Sequence, residues 1–230
     1  MEAGLHSYRH MDEDLTTLHE QLVQMGELVQ RQLTDALRAL VERDAELARR
    51  TIERDDGVDY KEVEIDDLCI RLLARYQPTA RDLRLITTGL KITTDLERIG
   101  DLAVNIGECA LRLIAEPPLL ELFDISAMGR LAQRMVRESL EAFVRADAAL
   151  AIGLCGQDDE VDALDHQLFR ILYTFMAEKP ETISRVIQLL FVASCLERVA
   201  DHATNIAEMV VYLVRGKSIR HLASLSDAAA

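Results

Sequence analysis

Leucine and valine recur at spacings of three and four from Leu15 to Val41, the period of a helix that buries one face. Asp44 then reads as the N-cap of a second helix running to about Gln77, where Pro78 stops it and opens the first turn of a third. The third pattern continues to about Ala115 and breaks at Pro117-Pro118. Three more helices follow over roughly 120–146, 148–178 and 181–215, with Asp147 and Pro180 in the same boundary roles. No period-2 run competes with these patterns. Helices of this length joined by short links bury their apolar stripes by lying antiparallel. The pattern therefore predicts an all-α chain of two tandem three-helix bundles, residues 12–116 and 119–216. The remaining segment, 217–230, reads as a frayed tail.

The two halves are copies of one another. Met25–Asp44 and Met128–Asp147 share Met, Gly, Leu, Gln, Arg, Leu, Ala, Val and Asp at an offset of 103. The same offset aligns Asp55-Asp-Gly-Val-Asp59 with Asp158-Asp-Glu-Val-Asp162. It slips to 102 at Pro78 and Pro180, and to 100 where Leu96-Glu-Arg-Ile-Gly-Asp101 meets Leu196-Glu-Arg-Val-Ala-Asp201. Small slips between matched blocks are what differing loop lengths produce, so the chain carries an internal duplication. Gly26 and Gly129 recur inside helical patterns, where glycine costs near 1 kcal/mol relative to alanine. Close helix packing accounts for them.

Composition excludes several classes of function. The chain has 40 acids against 26 bases, a net charge of −14, and no Trp, which speaks against binding nucleic acid through phosphates or stacked bases. Cys69, Cys109, Cys155 and Cys195 sit singly in apolar helical stretches and read as buried reduced thiols. Met1 to Leu15 has no apolar signal core, and the longest uncharged run, Val186 to Leu196, is about half a bilayer span. A cytoplasmic protein is expected.

The chemistry on offer is a set of acids shared by both halves. Glu97, Asp101, Asn105 and Glu108 fall within roughly 80° on one face of the third helix, and Glu197, Asp201, Asn205 and Glu208 repeat them. Asp55, Asp59, Glu62 and Asp66 form a second line within roughly 60°, which Asp158, Asp162 and Asp165 repeat, with Phe169 where Asp66 would fall. Two such lines facing each other repel and raise one another's pKa. A divalent or trivalent cation offsets that, and carboxylates are the ligands preferred by magnesium, manganese, calcium or iron. The alternative is a solvated acidic face.

No Glu has a His three positions later, and His19-Glu20 lacks the second His of a zinc-hydrolase motif, having Val23 there. His202 has Leu102 opposite it and makes a poor ligand candidate. Arg98 and Arg198, each following a motif Glu, are expected to pair with a neighbouring acid. Without a phosphate loop, a G-x-S-x-G or a nucleophile–base pair, the chain does not read as an ordinary enzyme. Any metal reads as structural or regulatory.

LERIGD (96–101) and LERVAD (196–201), with RQLTDAL (31–37), QPTARDLR (77–84) and NIAEMVVYLVRG (205–216), resemble the PhoU-type phosphate-uptake regulators. The resemblance runs from about Leu15 to His221. It implies a cytoplasmic, often dimeric, non-enzymatic negative regulator of the phosphate-starvation response. Such a regulator links the ATPase subunit of a phosphate ABC transporter to a membrane sensor histidine kinase, reaching the membrane only through these partners. It also implies multinuclear clusters, iron or zinc in some members, with manganese or magnesium as further candidates here. The ligands that the family's paired Glu/Asp-x-x-x-Asp motifs imply are Glu62 and Asp66, preceded by Asp59, with Glu97 and Asp101. In the second half they are Asp158 and Asp162, followed by Asp165, with Glu197 and Asp201. Phe169 departs from the pattern and leaves the second set shorter. A carboxylate-bridged metalloenzyme and a metal-free interaction scaffold are the competing readings.

Overall fold

Asp44 and Asp147 show how closely the duplicated sequence sets local structure. Each carboxylate accepts from two backbone N–H groups of the following turn, Glu46 and Leu47 in one case, Ala149 and Leu150 in the other, at 2.9–3.0 Å. Arg43 and Ala146 before them both adopt the left-handed conformation (φ 55° and 50°). The Asp44 and Asp147 amides then bond back to the Ala39 and Ala142 carbonyls at 3.0 and 2.9 Å, closing the preceding helix.

The computed structural model describes residues 2–119 and 125–219, with side chains from residue 10 onward. Its helices are α1 (Glu2–Glu42), α2 (Ala45–Glu53), α3 (Asp55–Tyr76), α4 (Ala80–Ile114), α5 (Ile125–Arg145), α6 (Ala148–Cys155), α7 (Asp158–Glu178) and α8 (Ile183–Arg215). A short 3-10 turn, Pro180–Thr182, leads into α8. The expected start of the fourth rod at residue 120, and residues 220–230 of the expected frayed tail, lie outside the described residues; within 217–219 the expectation fails at Ile219, which is buried against the core.

Each half is three rods, as the pattern predicts, but the second rod of each is broken. In the first half the break falls at Arg54, and Gln32 reaches in from α1 there. Its Nε2 donates to the Thr51 carbonyl at 3.4 Å and to Asp55 Oδ1 at 2.9 Å. A side chain entering the helical ladder is a recognised cause of a kink. In the second half Met135 holds the place of Gln32. The break still falls at the equivalent place, Gly156-Gln157, where Gln157 Nε2 donates to Glu138 at 3.0 Å as Arg54 Nη1 does to Asp35 at 2.9 Å. Apolar periodicity carries straight across both breaks, which hides them from a reading based on spacing alone.

The halves are fused. α4 and α8 pack against one another at the centre, α1 crosses α5, and one apolar core runs from Leu18, Leu22 and Leu96 to Phe143, Leu196 and Val210. The two repeated glycines mark the α1–α5 crossing. A Cβ on Gly26 would lie 2.8 Å from Leu140, and one on Gly129 would lie 3.0 Å from Leu37. Leu37 and Leu140 are themselves equivalent at the offset of 103. The close packing expected of these glycines is thus reciprocal contact between copies, with pseudo-twofold symmetry. Cys69, Cys109 and Cys195 are buried and Cys155 half-buried, all as free thiols. Among the described residues no helix is long and apolar enough to cross a membrane.

Candidate functional site

The acids do converge in pairs of lines. α3 lies along α4, and α7 along α8, so the carboxylates of one rod face those of the next. In the first groove Glu97 is pushed up to about 7, by burial first and then by Asp101, with Glu62 adding to it. Glu62 is raised by burial and by Asp66, Asp59 and Asp101. Asp55 is raised by burial and by Asp59 and Asp101, and Asp66 by burial and its neighbour Asp67. In the second groove Asp158 is pushed up to about 6 by burial, then by Asp201 and Asp162. Glu197 is raised by burial and by Asp201, Asp162, Asp165 and Asp158, and Asp201 by burial and Asp162. Of the ten residues singled out from the sequence, Glu62 couples across the rods with Glu97 and Asp101 in the first groove, and Asp158, Asp162 and Asp165 with Glu197 or Asp201 in the second, while Asp59 and Asp66 act on Glu62 from their own rod.

The repulsion is relieved differently in the two grooves. In the first, Arg98 lies beside both α4 acids, Nε 3.3 Å from Glu97 and Nη1 3.1 Å from Asp101. Among the described residues no such ion pair forms at Arg198. The expectation that each motif arginine pairs with an acid holds for one of the two. Retained protons are the other relief, because a carboxyl whose pKa reaches about 7 is partly neutral at physiological pH.

The oxygen-only donor set and the crowding of negative charge suit a hard cation. The side-chain positions suit it less well. Among the described residues no three His, Cys, Asp or Glu side chains are gathered so that they could hold a metal ion. Binding an ion in either groove therefore requires rotamer changes that draw facing carboxylates together.

Two members of the α4 and α8 lines turn elsewhere. Glu108 pairs with Arg112 at 2.9 Å, and Asn205 Nδ2 donates to Asp95 Oδ1 at 3.3 Å across the junction of the halves. His202 Nδ1 lies 2.9 Å from the same Asp95 oxygen, both side chains being less than one-fifth exposed. This polar link was not anticipated from spacing. Its signal was nonetheless present: Asp95 faces Cys195 in the alignment of the halves, and His202 faces Leu102. Two of the six differences between residues 95–108 and 195–208 are thus each other's partners. Asp55 lies on the acid line outside the expected ligand set and accepts from Gln32 Nε2, a partner that no local sequence pattern marks.

The duplicated three-rod frame is shared with known proteins. The PhoU domain family model matches residues 22–110 and 125–210, most of both halves. The chain belongs to the PhoU family. It is 41% identical over 218 residues to a phosphate-specific transport system accessory protein PhoU homolog of Pseudomonas aeruginosa, covering 94% of this chain and 90% of that one. Its identity to the phosphate-specific transport system accessory protein PhoU of Escherichia coli is 38% over 209 residues, with 91% and 87% covered. The crystal structure of PhoU from Pseudomonas aeruginosa superposes with a TM-score of 0.87 at 42% identity, covering 90% of this chain and 99% of that one. That of the phosphate transport system regulatory protein PhoU from Streptococcus pneumoniae gives 0.85 at 31% identity, with 91% and 99% covered. The two matched stretches are the two PhoU repeats, each carrying one acidic groove.

Proposed function

We propose that this chain is an accessory regulator of phosphate-specific transport, acting without catalysis. Its role is a cytoplasmic helical adaptor between the ATPase subunit of a phosphate ABC transporter and a sensor histidine kinase, holding the phosphate-starvation response down when phosphate is plentiful. The observation that carries this reading is PhoU membership along both repeats, with relatives named as accessory proteins of that transport system covering nine-tenths of the chain. An adaptor needs surface rather than turnover, and a rigid frame with two charged grooves provides it. The acidic balance favours basic patches on its partners and salt-sensitive association, and it disfavours direct contact with anionic lipid. We also infer a homodimer.

Metal ions belong to the proposal as well. Glu62, Asp66, Glu97 and Asp101, with Asp59, would hold a divalent or trivalent ion in the first groove, and Asp158, Asp162, Asp165, Glu197 and Asp201 in the second. The ion would supply positive charge that lets facing carboxylates close together. Absence of iron, zinc, manganese and magnesium from protein purified without chelator, and after reconstitution, would remove this part. A metal-free scaffold is the second reading, favoured by Arg98 sitting against Glu97 and Asp101. It predicts that Glu97→Gln with Asp101→Asn leaves partner affinity unchanged.

The adaptor is tested with the purified full chain against the ATPase subunit and the cytoplasmic part of the kinase. Binding of both, weakening with salt, is the expected result. Binding of neither overturns the adaptor.

A further inference from the structure

The second acidic groove does not end as the first does. On α7 the stripe formed by Asp158, Asp162 and Asp165 continues one and two turns on into Phe169 and Tyr173. Their rings stack 6.3 Å apart and are 54% and 63% exposed. On α8, towards the α7–α8 turn, Ile187 is 51% and Phe191 47% exposed, roughly 80° and 120° round the helix from Glu197. In the first half the equivalent positions are Asp66 for Phe169, Thr87 for Ile187 and Lys91 for Phe191. Ile70, 60% exposed, stands opposite Tyr173, so the duplication supplies a control at three of the four positions, where the same frame carries polar side chains. Exposed large apolar side chains gathered in one place mark interaction sites.

We propose that the α7–α8 groove is a docking surface for an amphipathic helix of a partner protein. The helix sets its apolar side on Phe169, Tyr173, Ile187 and Phe191, and its Lys or Arg side chains over Asp162, Asp165 and Glu197, in place of the ion proposed for that groove. This rests on the adaptor reading and names the surface through which it acts. Two antiparallel rods form a trough that a third helix fills. From Asp158 to Tyr173 the stripe is about 22 Å long, at 1.5 Å per residue, so an occupant of about four turns spans both its acidic and its apolar part. Charge selects the occupant. A second copy docked through the same groove would set one acidic stripe against another, since a twofold contact pairs a surface with itself. A basic amphipathic helix meets complementary charge and apolar area together.

The test transplants first-half chemistry into the second half of the full-length chain, as Phe169→Asp with Phe191→Lys. The milder Ile187→Thr is made in parallel should the double variant fold poorly. Circular dichroism and sedimentation equilibrium report fold and oligomeric mass. Affinity is measured for the transporter ATPase subunit, for the kinase's cytoplasmic part, and for two synthetic 18-residue helical peptides with a leucine stripe flanked by Lys or by Glu. The expected result is at least a tenfold loss of affinity for one protein partner, with oligomeric mass unchanged. The Lys-flanked peptide should bind the parent chain at least tenfold more tightly than the Glu-flanked one, and should lose that advantage on the variant. Full partner affinity in the folded variant overturns the proposal. So does a change confined to oligomeric mass, which would make the groove a contact between copies. Should the parent chain bind neither protein, the adaptor reading fails, and the peptides alone decide the groove: equal binding to parent and variant sinks it.

Discussion

The two halves of this chain share a frame and differ in how they treat charge. In the first, Arg98 bridges Glu97 and Asp101, and the acid line runs on to Asp66. In the second, the described residues show no ion pair at Arg198, and the line gives way to Phe169 and Tyr173. The junction is asymmetric too, because Asp95 meets His202 and Asn205 while the equivalent Cys195 and Leu102 are apolar. What both copies kept are caps, crossing glycines and the core of each acid line, whose change would cost the fold or the shared chemistry. What diverged is the groove end and the Asp95–His202 junction between α4 and α8. A duplicated chain thereby separates requirements of the frame from those of one site.

The sharpest way to break the comparison is at the α1–α5 crossing. Leu140→Ala should cost about 2–4 kcal/mol and Gly26→Val about 1–3 kcal/mol in urea unfolding. Because the valine would occupy space vacated by Leu140, the double variant should lose clearly less than the sum. Gly129→Val with Leu37→Ala should behave likewise. Additive losses in both cycles would mean that the halves do not meet there.

Protonation comes next. A carboxyl whose folded pKa lies above its unfolded value holds its proton more tightly when folded, so stability falls as pH rises between the two values. For Glu97 that window runs from 4.5 to about 7, and for Asp158 from 3.8 to about 6. Melting temperature should therefore decline from about pH 4.5 to about pH 7, and Glu97→Gln should flatten the upper part of the slope. Asp158→Asn should flatten only the part below about pH 6. Identical profiles for the two variants would show that the grooves do not differ in this way.

At the junction, His202→Leu installs the first-half residue and leaves half-buried Asp95 with Asn205 alone. A loss of about 1–2 kcal/mol is expected, most of it recovered by adding Asp95→Cys. No recovery would argue against a direct partnership. The smallest effect is also the most symmetric. Asp44→Ala and Asp147→Ala should each cost about 1 kcal/mol, equal within a few tenths, since the caps have the same geometry in both copies.

The caps, the six rods, the duplication and both acid lines were legible because each depends on residues a few positions apart. The N-cap at Asp44 needs only the next turn, and the acid lines need only helical period. The breaks at Arg54 and Gly156 were not legible. Both fall at equivalent positions, one with Gln32 reaching in and the other with Met135 in its place, and apolar spacing continues through both. The relief of charge is only partly legible for a related reason. A cation looked necessary from the lines alone, but Arg98 and partial burial, which allow protons to be retained, already act on the same carboxylates.

Local order along this chain, and the existence of two copies, were settled by sequence alone, because hydrogen bonding and side-chain period act over one or two turns. Which faces of those copies met was decided only in three dimensions. Gly26 reaching Leu140, Asp95 reaching His202, and the exposure of Phe169 all depend on how the rods cross. That crossing minimises exposed apolar area over the whole chain at once, a sum to which no single segment holds the key.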